Sequence, residues 1–72
     1  MKNFPTNTKV TWEWGQGTAS GYVREKFTES VTKTIDGNEV TRDADENNPA
    51  YLLEQDDGQR VLKSASELKK AN

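Results

Sequence analysis

The sequence predicts an all-β domain: a small five-stranded barrel finished by a short C-terminal helical turn. Three observations carry this. Apolar and polar residues alternate over short runs, the period of a half-buried strand. Glycine- and aspartate-rich breaks separate those runs, as between the strands of hairpins. A Ser-x-x-Glu pattern near the end marks a helix start. An open sheet of this size would leave a poorly covered face and two live edges, so closure is the expected arrangement.

Residues 1–7 contain no apolar run. They are expected to form a flexible N-terminus, before a single domain over 8–70 and a tail at 71–72. The first strand is Thr8-Lys9-Val10-Thr11-Trp12-Glu13-Trp14, where Val10, Trp12 and Trp14 alternate with Thr11 and Glu13. Trp12 shares the parity of Val10 and is expected in the core. Trp14 adjoins the Gly15-Gln16-Gly17 break, and its position leaves two readings open: over the barrel mouth or facing outward.

The second run, from Thr18 to Thr28, is a long strand with Ala19, Gly21, Val23 and Phe27 on one parity. Gly21 implies a bend or the close approach of another strand. Glu25 falls on the inward parity, so the strand is expected to bulge or leave the core there. Val31–Ile35 and Glu39–Thr41 flank an Asp36-Gly37 pair, a strong hairpin signal. With few large apolar residues, this hairpin is expected to project and be mobile. A polar loop from Arg42 to Asn48 ends at Pro49. Ala50–Gln55 then pairs through Asp56-Asp57-Gly58 with Gln59–Lys63. Ser64 and Glu67 form a capping box, Leu68 anchors the turn, and Lys69 and Lys70 suit its C-terminal dipole.

Composition sets the limits. The chain has 72 residues, 10 Lys+Arg against 12 Asp+Glu, a net charge of −2, no His and no Cys. Val, Leu, Ile and Phe number 12 of the 72. That is sparse for a globular chain, but the low net charge argues against disorder. Lacking Cys, the chain cannot build a disulfide framework, a thiolate metal site or a cysteine nucleophile. Lacking His, it cannot build a Ser-His-Asp triad or an imidazole site. A core of this size supplies about 3–5 kcal/mol, so each of the six aromatics is expected to matter to it. With no signal-like or membrane-spanning apolar run, the expected compartment is the cytoplasm. The slight acidity argues against a strong nucleic-acid binder.

The ordered set Val10-x-Trp12, Gly21-x-Val23, a hairpin around Gly37, Pro49-x-Tyr51-x-Leu53, an Asp-x-Gly turn and a closing Glu67-Leu68-Lys69-Lys70 resembles the hypervirulence-associated Tudor-domain family. The likeness runs from about Val10 to Lys70. It implies a Tudor-like, SH3-type barrel and an interaction role, with no catalytic residue. Family members often carry a His-Lys pair before the last helical turn; here Lys63-Ser64 stands in its place.

Tudor-type barrels can use clustered aromatics and an acid to hold a methylated side chain through cation–π contacts. Trp12, Trp14, Tyr22, Phe27 and Tyr51 are the available aromatics, with Glu13 and Asp56 as acids. Periodicity assigns Trp12 to the core, Tyr22 to the exposed parity and Tyr51 to a half-buried position with its hydroxyl at the rim. The expected ligand-binding residues are therefore Trp14, Tyr22 and Tyr51, forming a rim that takes a protein or peptide. The alternative is weak nucleic-acid binding by Tyr22, Arg24, Lys26, Lys33 and Arg42, which requires those cations to converge. A third reading is a stress-related structural protein with no dedicated pocket. Asp43-x-Asp45-x-Asn47, with Glu54 in twelfth position, matches the acidic positions of a calcium loop. However, Asn48 replaces its glycine and no helices flank it, so no metal site is expected. The remaining carboxylates lie in solvated turns without a pocket, so neither catalysis nor a cofactor is expected. The chain is expected to be a monomer.

Overall fold

Alternation and turn chemistry translate directly into strands. The computed structural model describes residues 3–71; residues 1, 2 and 72 of the expected termini lie outside it. Its strands are β1 (Lys9–Trp14), β2 (Gly17–Phe27), β3 (Val31–Ile35), β4 (Asn38–Arg42), β5 (Ala50–Glu54), β6 (Arg60–Ser64) and β7 (Lys69–Lys70). A single 3-10 turn, Ala65–Glu67, joins β6 to β7. The fold is all-β, as expected, but there are seven strands rather than five. Five form an antiparallel sheet in the order β6-β5-β2-β1-β7, and β3-β4 is a separate two-stranded sheet. The sheets are not joined into a closed barrel. β4 comes close to β6 without forming a ladder, and a side chain, Arg42, bridges them by donating from Nε to the Leu62 carbonyl at 3.2 Å.

β5 organises the packing. Its run Ala50-Tyr51-Leu52-Leu53 is buried on both faces, so successive residues serve two different clusters. Tyr51 and Leu53 join Phe4, Val10, Trp12, Val23, Ala65 and Leu68 in the first cluster. Ala50 and Leu52 join Ile35 and Leu62 in the second, with Phe27, Val31, Val40 and Ala44 packed against it. The β3–β4 hairpin therefore does not project. It lies on the sheet through Val31, Ile35 and Val40, and leaves Thr32 and Thr41 outside, their hydroxyls bonded at 2.8 Å. Its two-residue turn has the positive φ values that Asp-Gly supplies, 52° at Asp36 and 79° at Gly37.

Two expectations on β2 are met. The β2–β5 register shifts between Val23 and Glu25, a bulge that spares Glu25 the core. Gly21 sits where a Cβ would come within 2.9 Å of the Glu54 carbonyl oxygen and 3.2 Å of the Trp12 ring. Only glycine admits that approach of strand and indole.

Both chain ends differ from expectation. Phe4 is buried, packs edge-on against Tyr51 with ring centroids 5.6 Å apart, and donates its N–H to the Tyr51 hydroxyl at 3.1 Å. Asn7 donates its N–H to the Val23 carbonyl at 2.8 Å. The segment is thus tied to the domain at Asn3, Phe4 and Asn7 rather than lying free of it, with Phe4 its buried residue. At the other end Glu67 caps the turn, accepting the Ser64 N–H at 2.8 Å, and Leu68 is fully buried. Lys69 and Lys70 do not continue the helix. They pair with Thr11 and Val10 as an edge strand, because β1 presents an unpaired edge there and Leu68 is already extended.

Candidate functional site

The two tryptophans of β1 share a parity but not an environment. Trp12 is 3 % exposed and Trp14 is 70 % exposed. Trp12 lies opposite Ala19, while Trp14 lies opposite Gly17, which offers no side chain. The strand runs past the end of the first cluster, and its last indole has nothing above it. Among the described residues Trp14 is the one large apolar side chain left exposed.

Trp14 stands at the mouth of a groove of about 440 Å³. One wall is the tip of the β3–β4 hairpin, with Ile35, Asp36 and Val40. The other is β6, with Arg60, Val61 and Leu62. Arg42 and Lys63 complete the charged rim. The groove runs along the β4–β6 seam, which Arg42 crosses to reach the Leu62 carbonyl. A larger hollow of about 610 Å³ lies across Thr11, Glu13, Thr18, Lys63, Glu67 and Lys69. Its lining mixes both charge signs on polar side chains, with Trp12 as its sole aromatic. The lining of the Trp14 groove combines apolar residues, among them Trp12, Ile35, Val40, Val61 and Leu62, with polar and charged ones, and recognition sites likewise set polar groups among apolar ones.

The expected rim of Trp14, Tyr22 and Tyr51 does not form. Tyr51 is fully buried, and its hydroxyl points to the N-terminal segment, donating to Asn3 Oδ1 at 3.4 Å. Its place in a continuous apolar run concealed this, since such a run has no outward parity to read. Tyr22 pairs with Lys9, at the opposite end of β1 from the Trp14–Gly17 pair. That separation is roughly 17 Å along the strand, and Tyr22 has the opposite parity, which turns it to the other face.

The cations of the nucleic-acid reading are each engaged within the chain. Arg24 donates to Glu54 Oε1 at 2.8 Å and Asn7 Oδ1 at 2.6 Å, and its guanidinium lies 5.7 Å from the Tyr22 ring centre. Lys26 donates to Asn3 Oδ1 at 2.9 Å. The bulge separates their pairings: Lys26 opposes Tyr51, while Tyr22 opposes Glu54. Lys33 lies 5.0 Å from the Phe27 ring centre. Arg42 serves the Leu62 carbonyl and faces Glu67 at 3.7 Å. The structure brings no two of these four cations together on a shared partner. Arg60 and Val61, which matter to the groove, were not singled out from the sequence; they read there as ordinary β6 residues.

The acidic loop is occupied with its own backbone. Asp45 Oδ1 accepts the N–H groups of Asn47 and Asn48, each at 2.8 Å, and Asn48 Oδ1 accepts that of Ser66 at 3.1 Å. Glu54, the twelfth position of the calcium pattern, is bound to Arg24. Among the described residues no group of three or more acidic side chains is arranged to hold a metal ion. No helix there is long and apolar enough to cross a membrane.

Comparison with known proteins places the chain. The family model for the TUDOR domain of hypervirulence associated proteins matches residues 8–68. The chain belongs to that family. No curated protein and no solved structure matches it.

Proposed function

We propose that this member of the hypervirulence-associated TUDOR-domain family is a non-catalytic binding module, which takes a protein or peptide at the groove beside Trp14. A Tudor-like domain is in general a binding module. The observation that carries the specific reading is the 70 % exposure of Trp14 beside a groove lined in part by apolar residues, in a chain with few large apolar residues to spare. An exposed indole at the edge of a groove is the type of side chain that dominates binding energy at interfaces. Tyr51 and Tyr22 are not part of this site. Nucleic acid is the weaker partner, because Arg24, Lys26, Lys33 and Arg42 are used internally and the chain is acidic overall.

The test is an amide NMR titration of the nitrogen-labelled chain with a panel of unmodified and methylated peptides, repeated with a single-stranded oligonucleotide. The expected result is a saturable shift of the Trp14 indole signal with peptide, lost in Trp14→Ala while the spectrum stays dispersed. Binding that moves only the Tyr22–Lys26 amides, and weakens steeply with salt, would assign the protein to nucleic acid instead.

A further inference from the structure

We infer that the groove takes an acidic, extended peptide segment, which adds as a short strand to the free edge of β6. This rests on the reading of Trp14 above and specifies its partner. The first support is the hydrogen-bond phase of β6. Gln55 donates to the Gln59 carbonyl at 2.7 Å, and Ala65 to the Pro49 carbonyl at 2.8 Å. These brackets fix which pairs of the β5–β6 ladder are hydrogen-bonded. The pairs Glu54–Arg60, Leu52–Leu62 and Ala50–Ser64 are the alternate ones, whose N–H and C=O groups point away from β5. Two contacts agree with that phase: the Leu62 carbonyl is taken by Arg42, and the Ser64 N–H by Glu67. The Arg60 N–H and C=O and the Leu62 N–H have no partner among the described residues. They belong to residues that line the groove together with Ile35, Val40 and Trp14. An unpaired strand edge next to side-chain pockets is the arrangement used in β-strand addition.

The second support is charge. The groove is lined by Arg42, Arg60 and Lys63 against Asp36 alone, a local excess of positive charge on a chain of net charge −2. Among the described residues Arg60 and Lys63 have no ion-pair partner. A methylated lysine is the wrong occupant. It needs several aromatic faces around the cation, whereas Trp12 is 3 % exposed and three cations surround the groove. A segment with acidic residues flanking apolar ones complements both the rim and the floor.

The experiment titrates the labelled full chain with three capped pentapeptides: Glu-Ile-Glu-Tyr-Glu, its backbone N-methylated form at alternate residues, and the analogue with lysine for glutamate. The expected result is saturable shifts of the Arg60–Leu62 amides and the Trp14 indole with the first. Up to about tenfold weaker binding is expected with the second, from the peptide N–H lost to the Arg60 carbonyl, and none with the third. Equal binding of the N-methylated peptide, with the Arg60–Leu62 amides still, overturns strand addition and leaves the Trp14 reading standing. Tighter binding of the lysine analogue overturns the acidic occupant alone. Shifts at Arg60–Leu62 that follow protein concentration without peptide assign the edge to a second copy and overturn the inference. If none of these peptides and none of the wider panel moves the Trp14 indole, both readings fail together.

Discussion

The two apolar clusters share β5 but are closed in different ways. The first is covered at both ends by chain that the sheet does not need: Phe4 from the N-terminal segment, and Ala65 and Leu68 from the turn before β7. The second is covered by the β3–β4 hairpin, which has no backbone ladder to the sheet beneath it, is tied there by the Arg42 side chain, and contributes one buried side chain, Ile35. Where covering segments are tied down, the core is sealed and its aromatics are structural. Where the cover is a two-stranded flap, a seam remains, and the unused indole and the unpaired edge collect along it. In a domain with so few apolar residues, the function proposed above divides stability and recognition between the two clusters.

Substitutions break or sharpen this division. The largest effect is expected for Leu53→Ala, in the sealed cluster and fully buried. Its cost of about 3–5 kcal/mol matches the whole stability of such a domain, so urea titration by circular dichroism should show no cooperative transition. Gly21→Ala follows. Its methyl would meet backbone at 2.9 Å, costing up to about 3 kcal/mol and visible as a large drop in the urea midpoint. Ile35→Ala, under the flap, is expected to cost about 2 kcal/mol; a loss equal to that of Leu53→Ala would show that the clusters contribute alike. Trp14→Ala is expected to change stability by less than about 0.5 kcal/mol and to leave the emission of Trp12 characteristic of a buried indole. A loss above about 3 kcal/mol would mean that Trp14 is core and the division false.

The sealed cluster was largely legible in the sequence, and the reasons are local. Alternation over Val10, Trp12 and Trp14 fixed the face of β1. Glu25 on an inward parity required the bulge, and Gly21 and Asp36-Gly37 each signalled one backbone requirement. What escaped was set by tertiary context. Phe4 is a single apolar residue among polar ones, so no period marks it as core. Lys69 and Lys70 have little strand preference and become a strand because β1 offers an edge. Tyr51 lies in a run buried on both faces, where alternation distinguishes two interiors rather than inside from outside. Trp14 keeps the inward parity but outlasts the core, and only the length of the cluster reveals that. The groove joins β1, the hairpin and β6, whose proximity no short pattern encodes.

The pairing of Val10 with Lys70 also bears on how the protein is made. Leu68 seals the first cluster and β7 finishes the sheet, so the native interior cannot be assembled before residue 70 has left the ribosome. At about 5–20 residues per second, β1 waits roughly 3–12 s for its last neighbour. Throughout that interval Val10 and Trp12 lack the cover that Leu68 gives them in the finished domain. The face of the first strand is therefore completed by the last one, so native packing around Val10 depends on residues some sixty positions downstream.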